Sequence, residues 1–196
     1  MDQQRELNWL CAVALIWSAI ISHSSNDFFA VVLFHQNPLD GLMMSATRQG
    51  TIMIEAGARS KAPPSAVFAL LKDGATWPHW TMFKSFELER PGNVEPMGVG
   101  AIRVFSTAVT RTREEVVELI PDKRLSYILL SGFPFLNYRA DVDLAAIEGG
   151  GTSVDWHACF SAKHRGTGWF WRRFMTAVLR RVAADLAAGA EKAERT

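Results

Sequence analysis

The chain has 196 residues, of which 48% are hydrophobic and 21% charged. That is globular composition, enough for one domain with a sizeable core and too apolar for wholesale disorder. Twenty-one basic residues against 20 acidic ones leave a formal charge of +1, which gives no electrostatic footprint for nucleic acid.

The first elements in chain order are two apolar runs, Trp9–Ile21 and Phe28–Phe34, separated by the polar cluster SHSSND. Each is shorter than the roughly 20 residues a spanning helix needs. The leading MDQQREL has no net positive charge, so a signal peptide does not fit. A membrane-surface helix lacks its basic face. Residues 1–44 carry a net charge of −3 and residues 45–196 a net of +4, with Met43 and Met44 at the shift. Two readings follow. Translation starts at Met43 or Met44, or residues 1–44 form an apolar extension that docks on the domain or, through residues 9–34, on a membrane. The membrane contact is the less favoured. Cys11 and Cys159 form no CxxC pair and no disulfide framework, so the cytoplasm is the expected compartment, with membrane association through the N-terminal segment as its alternative.

From residue 51 the pattern is regular. Thr51–Ser60 alternates, with Ile52, Ile54, Ala56 and Ala58 on one face, and predicts a half-buried strand. Pro63 and Pro64 introduce a helix over SAVFALLKDG, with Val67, Leu70 and Leu71 on its apolar face and Gly74 as its stop. ATWPHWTMF predicts a turn or short helix around Pro78. Strands are predicted over Lys84–Glu89, Gly100–Ala108, Arg113–Ile120 and Leu125–Ser131. Tyr138–Leu144 and Thr152–Ala162 alternate cleanly about Gly149-Gly150-Gly151 and predict a hairpin. One proline-free helix then runs from Trp169 to about Glu191. At 100° per residue, Phe170, Trp171, Phe174, Val178, Val182 and Leu186 share a side. Arg181 and Asp185 are spaced to pair at its flank. Six or seven antiparallel strands and one long amphipathic helix give an α+β fold, the helix on the concave face of a curved sheet.

APPSAVFALLKDGATWPHW, PMGVGAIRVF, TREEVVELIPDKRLSYILLSG, GGGTSVDW and the terminal helix come in that order. This resembles the START-like, or SRPBCC, superfamily of polyketide cyclases, dehydrases and lipid-transport proteins. The resemblance covers about residues 50–193. It implies the helix-grip fold, in which a curved antiparallel sheet wraps a long C-terminal helix, and a hydrophobic ligand cavity between them. Residues 45–196 are then the START-like ligand-binding domain. The superfamily shares a cavity and not one chemistry.

No GxSxG elbow, Walker A motif or dinucleotide fingerprint is present, so no cofactor is expected. His23, His35, His79, His157 and His164 show no HxxxH or HExxH spacing, so no metal site is expected. His79 reads as a surface loop residue, and His157 lies on the polar phase of its strand. Seven tryptophans and twelve phenylalanines supply large apolar surface for a core or a cavity wall. Trp80, Phe83, Phe133 and Phe135 are candidate wall residues, as are Tyr127, Tyr138 and Trp156. From the helix come Phe170, Phe174 and Val178. Plain core packing is the competing reading for each.

Arg103 stands inside AIRVF, framed by apolar residues on both sides. Alternation leaves its direction open. Facing inward, it would orient a carboxylate, phosphate or enolate oxygen of a ligand, and its acceptors would be that ligand, Tyr127 or Glu115. Arg103→Met would then leave folding nearly intact. Glu114, Glu115 and Glu118 beside Arg111 and Arg113 read as surface ion pairs. The function expected is binding or transport of a hydrophobic small molecule, lipid or polyketide-like. An alternative is a polyketide cyclase, aromatase or dehydratase, for which Arg103 and Tyr127 are the catalytic candidates. A second alternative is an interaction module with a collapsed cavity. Oligomeric state stays open.

Overall fold

The computed structural model describes residues 50–195. The N-terminal extension, with its two apolar runs, its alternative start and the membrane contact through residues 9–34, lies outside the described residues.

Seven strands form one antiparallel sheet: β1 (Ile52–Ser60), β2 (Ser85–Arg90), β3 (Ile102–Ser106), β4 (Arg111–Ile120), β5 (Arg124–Ser131), β6 (Phe135–Ala146) and β7 (Thr152–Ala162). Their order is β1-β7-β6-β5-β4-β3-β2. Strands β2 to β7 are a meander in which each strand pairs with the next. The first strand pairs with the last, Ile52 opposite Phe160 and Ser60 opposite Thr152. Helix α1 (Pro64–Lys72) and a 3-10 helix (Gly74–His79) carry the chain from one edge strand to the other. Helix α2 (Gly168–Ala193) closes the fold. Among the described residues no helix is long and apolar enough to cross a membrane.

The sheet is bent by register shifts in β2, β4 and β6, the usual effect of an extra residue on one strand. The shift between Val116 and Glu118 also explains why β4 departs from strict alternation. Thr112, Glu114 and Val116 are buried, and three residues on from Val116, Leu119 again packs against the core.

Helix α2 packs on β1 and β7 and touches α1. Ala183, Ala187 and Ala190 are buried on it, and Ala56 and Ala158 are buried in the strands it packs on. Small residues on both sides let backbone approach backbone. The contact is pinned by polar groups: Ser60 Oγ donates to the Ala187 carbonyl at 2.9 Å, and the Lys61 amide donates to Glu191 Oε1 at 2.9 Å. Thr152 Oγ1 donates to the Ala62 carbonyl at 2.7 Å. The apolar stripe of α2 is rotated from the one expected. Its buried line runs through Trp171, Met175, Leu179, Val182 and Leu186, while Phe170, Phe174 and Val178 sit half-buried at its edge. In α1 the buried residues are Val67, Phe68 and Leu71, with Leu70 only partly covered. Arg181 and Asp185 pair as the spacing suggested, at 2.9 Å.

The β6–β7 hairpin turns through three glycines at positive φ, Gly149, Gly150 and Gly151. At Gly151 a Cβ would lie 2.3 Å from the Ser60 carbonyl oxygen, whereas nothing lies within 4 Å at Gly149 or Gly150. Gly151→Ala therefore meets both backbone strain and a rigid neighbour. It is expected to cost about 3 kcal/mol, the top of the range for a strained backbone position, and Gly149→Ala clearly less. Urea unfolding of the two variants checks the order.

Candidate functional site

β3 brings four consecutive buried residues, Ile102 to Phe105, into the sheet. Ile102 and Val104 take one face, and register places Val104 between Glu87 and Arg113 there. That face carries a charged lattice: Arg111 with Glu87 at 2.8 Å, Arg90 with Glu115 at 2.7 Å, and Arg113 with Glu89. Hydrogen bonding to Arg113 holds the Glu89 carboxyl below its ordinary value. Further along, Arg139 pairs with Asp141 and Glu118, and Arg124 with Asp143. Exposed pairs of this kind hold little energy individually. Glu115 and Glu118 thus behave as the sequence suggested. His157 and His79 are exposed, also as expected.

Arg103 and Phe105 take the other face. Arg103 is 0% exposed and Glu114, directly opposite on β4, is 6% exposed. Arg103 Nη2 donates to Glu114 Oε1 at 2.5 Å. Two expectations are corrected here. Glu114 is not a surface partner, and the acceptor for Arg103 is Glu114 rather than Glu115, because Glu115 lies one residue on and faces outward. The overlooked signal was the phase Thr112-Glu114-Val116, which places Glu114 on the same side as an apolar residue.

Aromatic rings surround the Arg103 guanidinium. The guanidinium carbon lies 5.3 Å from the Trp77 ring, 5.5 Å from Phe105 and 6.0 Å from Tyr127. Trp77 stacks on Phe105 at 4.7 Å and meets Trp156 edge-on at 6.2 Å. Its indole Nε1 donates to the Leu71 carbonyl at 3.1 Å, so α1 and the 3-10 helix orient it. The turn-like reading of residues 75–83 had left Trp77 out. Phe83 joins the same group, 5.0 Å from Phe105. Trp80 contacts Trp77 at 5.1 Å and donates from Nε1 to Thr76 Oγ1 at 3.1 Å.

A second aromatic group gathers at the start of α2. Phe133 and Phe135 stack at 5.4 Å, and Phe135 meets Trp171 edge-on at 5.1 Å. Phe170 and Phe174 stack at 6.0 Å, and Phe174 lies 6.2 Å from Phe133. Val178 packs on the core beside them. Tyr138 links the two groups, 5.9 Å from Phe135 and 6.2 Å from Tyr127. Tyr127, Tyr138 and Trp156 are all buried.

The electrostatics of the group are those of a dry interior. Burial pushes the Glu114 carboxyl above its ordinary value, and the attraction of Arg103 opposes that shift without cancelling it. Burial also pushes Tyr127 well above the usual phenol range, with Tyr138 and Glu114 adding to the effect, and raises Tyr138 as well. Both phenols therefore stay protonated and act as hydrogen-bonding groups, not bases. Among the described residues Arg103 Nε and Nη1 are buried without a hydrogen-bond partner, while Tyr127 hydrogen-bonds with Trp156 and Tyr138. Buried donors almost always find acceptors, so two of them on one ion pair mark a place suited to acceptor oxygens. The ring faces around Arg103 supply part of that stabilisation.

Residues 51–191 match the profile of a family described as polyketide cyclase / dehydrase and lipid transport. Among solved structures, a START superfamily protein from Mycobacterium smegmatis superposes with a TM-score of 0.64 at 12% identity, covering 72% of this chain and 99% of that one. The protein XoxI from Bacillus cereus gives 0.60 at 15%, covering 73% and 98%. A protein from Nitrosospira multiformis gives 0.58 at 19%, covering 74% and 99%. At these identities the likeness shows the fold. No curated protein matches the chain in sequence.

The pairing changes what Arg103→Met should do. Alone it leaves Glu114 buried without its partner, at an expected cost of about 3–5 kcal/mol, whereas Arg103→Met with Glu114→Leu is expected to be neutral or stabilising by about 1–4 kcal/mol. The pH dependence has a defined sign. A carboxyl whose folded pKa lies above its unfolded value contributes stability that is full below the unfolded pKa and lost as pH rises through the folded one. The native protein should therefore lose stability relative to Glu114→Gln as pH climbs out of the ordinary carboxylate range. Urea unfolding of the four proteins across pH checks both statements.

Proposed function

Because the chain belongs to the polyketide cyclase / dehydrase and lipid transport family of START-like proteins, we propose that it binds or carries an apolar small molecule, lipid or polyketide-like, between the sheet and α2. The observation that carries this reading is Arg103, a fully buried guanidinium with two unpartnered nitrogens in a shell of aromatic rings. An apolar body would lie against Tyr138 and the second aromatic group, and its polar end would meet Arg103, Tyr127 and Trp156. Large rings bury much surface for little rotamer freedom, which suits recognition of a greasy ligand with few polar anchors. The proposed place of action is the cytoplasm, on the support of two cysteines in widely separated segments.

Native mass spectrometry of the protein after exposure to a total lipid extract tests this. The expected result is a stoichiometric adduct that organic solvent removes. A protein that stays at its bare mass after exposure to lipids and to aromatic polyketides would favour the collapsed interior and overturn the reading.

A second reading, a cyclase or dehydratase, is favoured by one observation: Glu114 is a buried carboxyl with a raised pKa beside a cation, the setting of a general acid or base. Arg103 would hold an enolate oxygen while Glu114 moved the proton. Turnover of a poly-β-ketone, abolished in Glu114→Gln with binding retained, is the expected outcome under that reading.

A further inference from the structure

We propose that Glu114 sets the charge of the ligand: the Arg103–Glu114 pair selects an uncharged carbonyl-bearing molecule, such as a ketone, ester or amide, and rejects a free carboxylate. This rests on the binding reading above and deepens it.

A lone buried arginine would call for an anionic ligand, because its charge needs a counter-charge away from water. Here the counter-charge is already supplied. Glu114 Oε1 sits 2.5 Å from Arg103 Nη2, and the side chains are 8% and 0% exposed. With Glu114 ionised the pair carries no net charge. No second buried cation accompanies it: Arg103 is the one arginine or lysine among the buried polar residues described. An incoming carboxylate would therefore leave one uncompensated negative charge in a shell of Trp77, Phe105 and Tyr127, close to Glu114. Like charges in such surroundings repel strongly.

The pair still offers hydrogen-bond donors. Arg103 Nε and Nη1 have no hydrogen-bond partner among the described residues, and the nearby Tyr127, hydrogen-bonded with Tyr138 and Trp156, keeps its hydroxyl proton. The group is rich in donors, and its one charged acceptor is engaged by Arg103. A neutral carbonyl oxygen matches both counts, since it accepts two hydrogen bonds and brings no charge. Donor excess without charge excess is the property that separates a carbonyl from a carboxylate. The same count disfavours an aliphatic amine, whose donors would compete with Arg103 for Glu114.

The test uses tryptophan fluorescence titration of the full chain at pH 8 with two probes of near-equal shape, 2-undecanone and decanoate, repeated over chain lengths from eight to sixteen carbons. The native protein is expected to bind the ketone at least about tenfold tighter than the acid. Glu114→Gln keeps an acceptor for Arg103 and removes the negative charge, so it should bring decanoate affinity up by about tenfold or more and narrow or reverse the preference. Equal or tighter binding of decanoate by the native protein would overturn the inference while leaving the binding reading intact. An unchanged preference in Glu114→Gln would do the same. Failure of every probe at every chain length would overturn the binding reading itself. Near-ultraviolet circular dichroism reports whether Glu114→Gln keeps its packing, and if it does not, the ketone-to-acid ratio of the native protein decides alone.

Discussion

One helix has to cover a seven-stranded sheet, and it is too narrow to do so. Seven strands at their ordinary spacing span about 29 Å, while a helix with its side chains is about 10–12 Å across. Helix α2 lies over β1 and β7 and reaches α1. The inward face of β3, β4 and β5 needs other cover. Curvature of the sheet supplies some of it, and large aromatic side chains supply the rest. Trp77, held by the 3-10 helix, is the bridge between the covered side and the far strands, touching Trp156 of β7 and Phe105 of β3. The cluster of Trp77, Phe83 and Phe105 follows from that geometry.

Arg103 is placed in the middle of this cover. A buried ion pair adds little net stability, because desolvating two charges offsets most of their attraction. An apolar pair of similar size would fill the same volume at least as well. The outer face of the same strands shows the contrast. There Arg111, Arg113, Arg90, Glu87, Glu89 and Glu115 pair in water, where pairs are cheap to form and cheap to lose. One strand therefore carries two kinds of charge pairing, separated by the thickness of the sheet. Only the inward one leaves donors without acceptors.

The fold by itself supports many chemistries, so family membership does not by itself name one. What this chain adds is the composition of the site. Under the proposed binding reading, the charge balance at β3 and β4, rather than the apolar surroundings, would distinguish one greasy ligand from another. Phenols held protonated by burial extend the same donor-rich character toward Tyr138 and the aromatic group at the start of α2.

The order of elements was legible in the sequence because each depends on local chemistry. Alternation marked β1, β6 and β7, glycines marked the hairpin, and a proline-free periodic stretch marked α2. The burial of Tyr127, Tyr138 and Trp156 was also legible, since large rings on the apolar phase of a strand face a core. Three things were decided only by tertiary structure. The direction of Arg103 depended on which face of β3 meets the rings, and apolar residues on both phases hid that. The buried state of Glu114 depended on β4 lying beside β3 in the register that sets the two side chains opposite each other, a non-local pairing that no window of sequence contains. The rotation of α2 toward Met175 and Leu179 depended on its packing against β1 and β7. Periodicity fixes that a helix has an apolar face, but the surface it meets fixes where that face is centred.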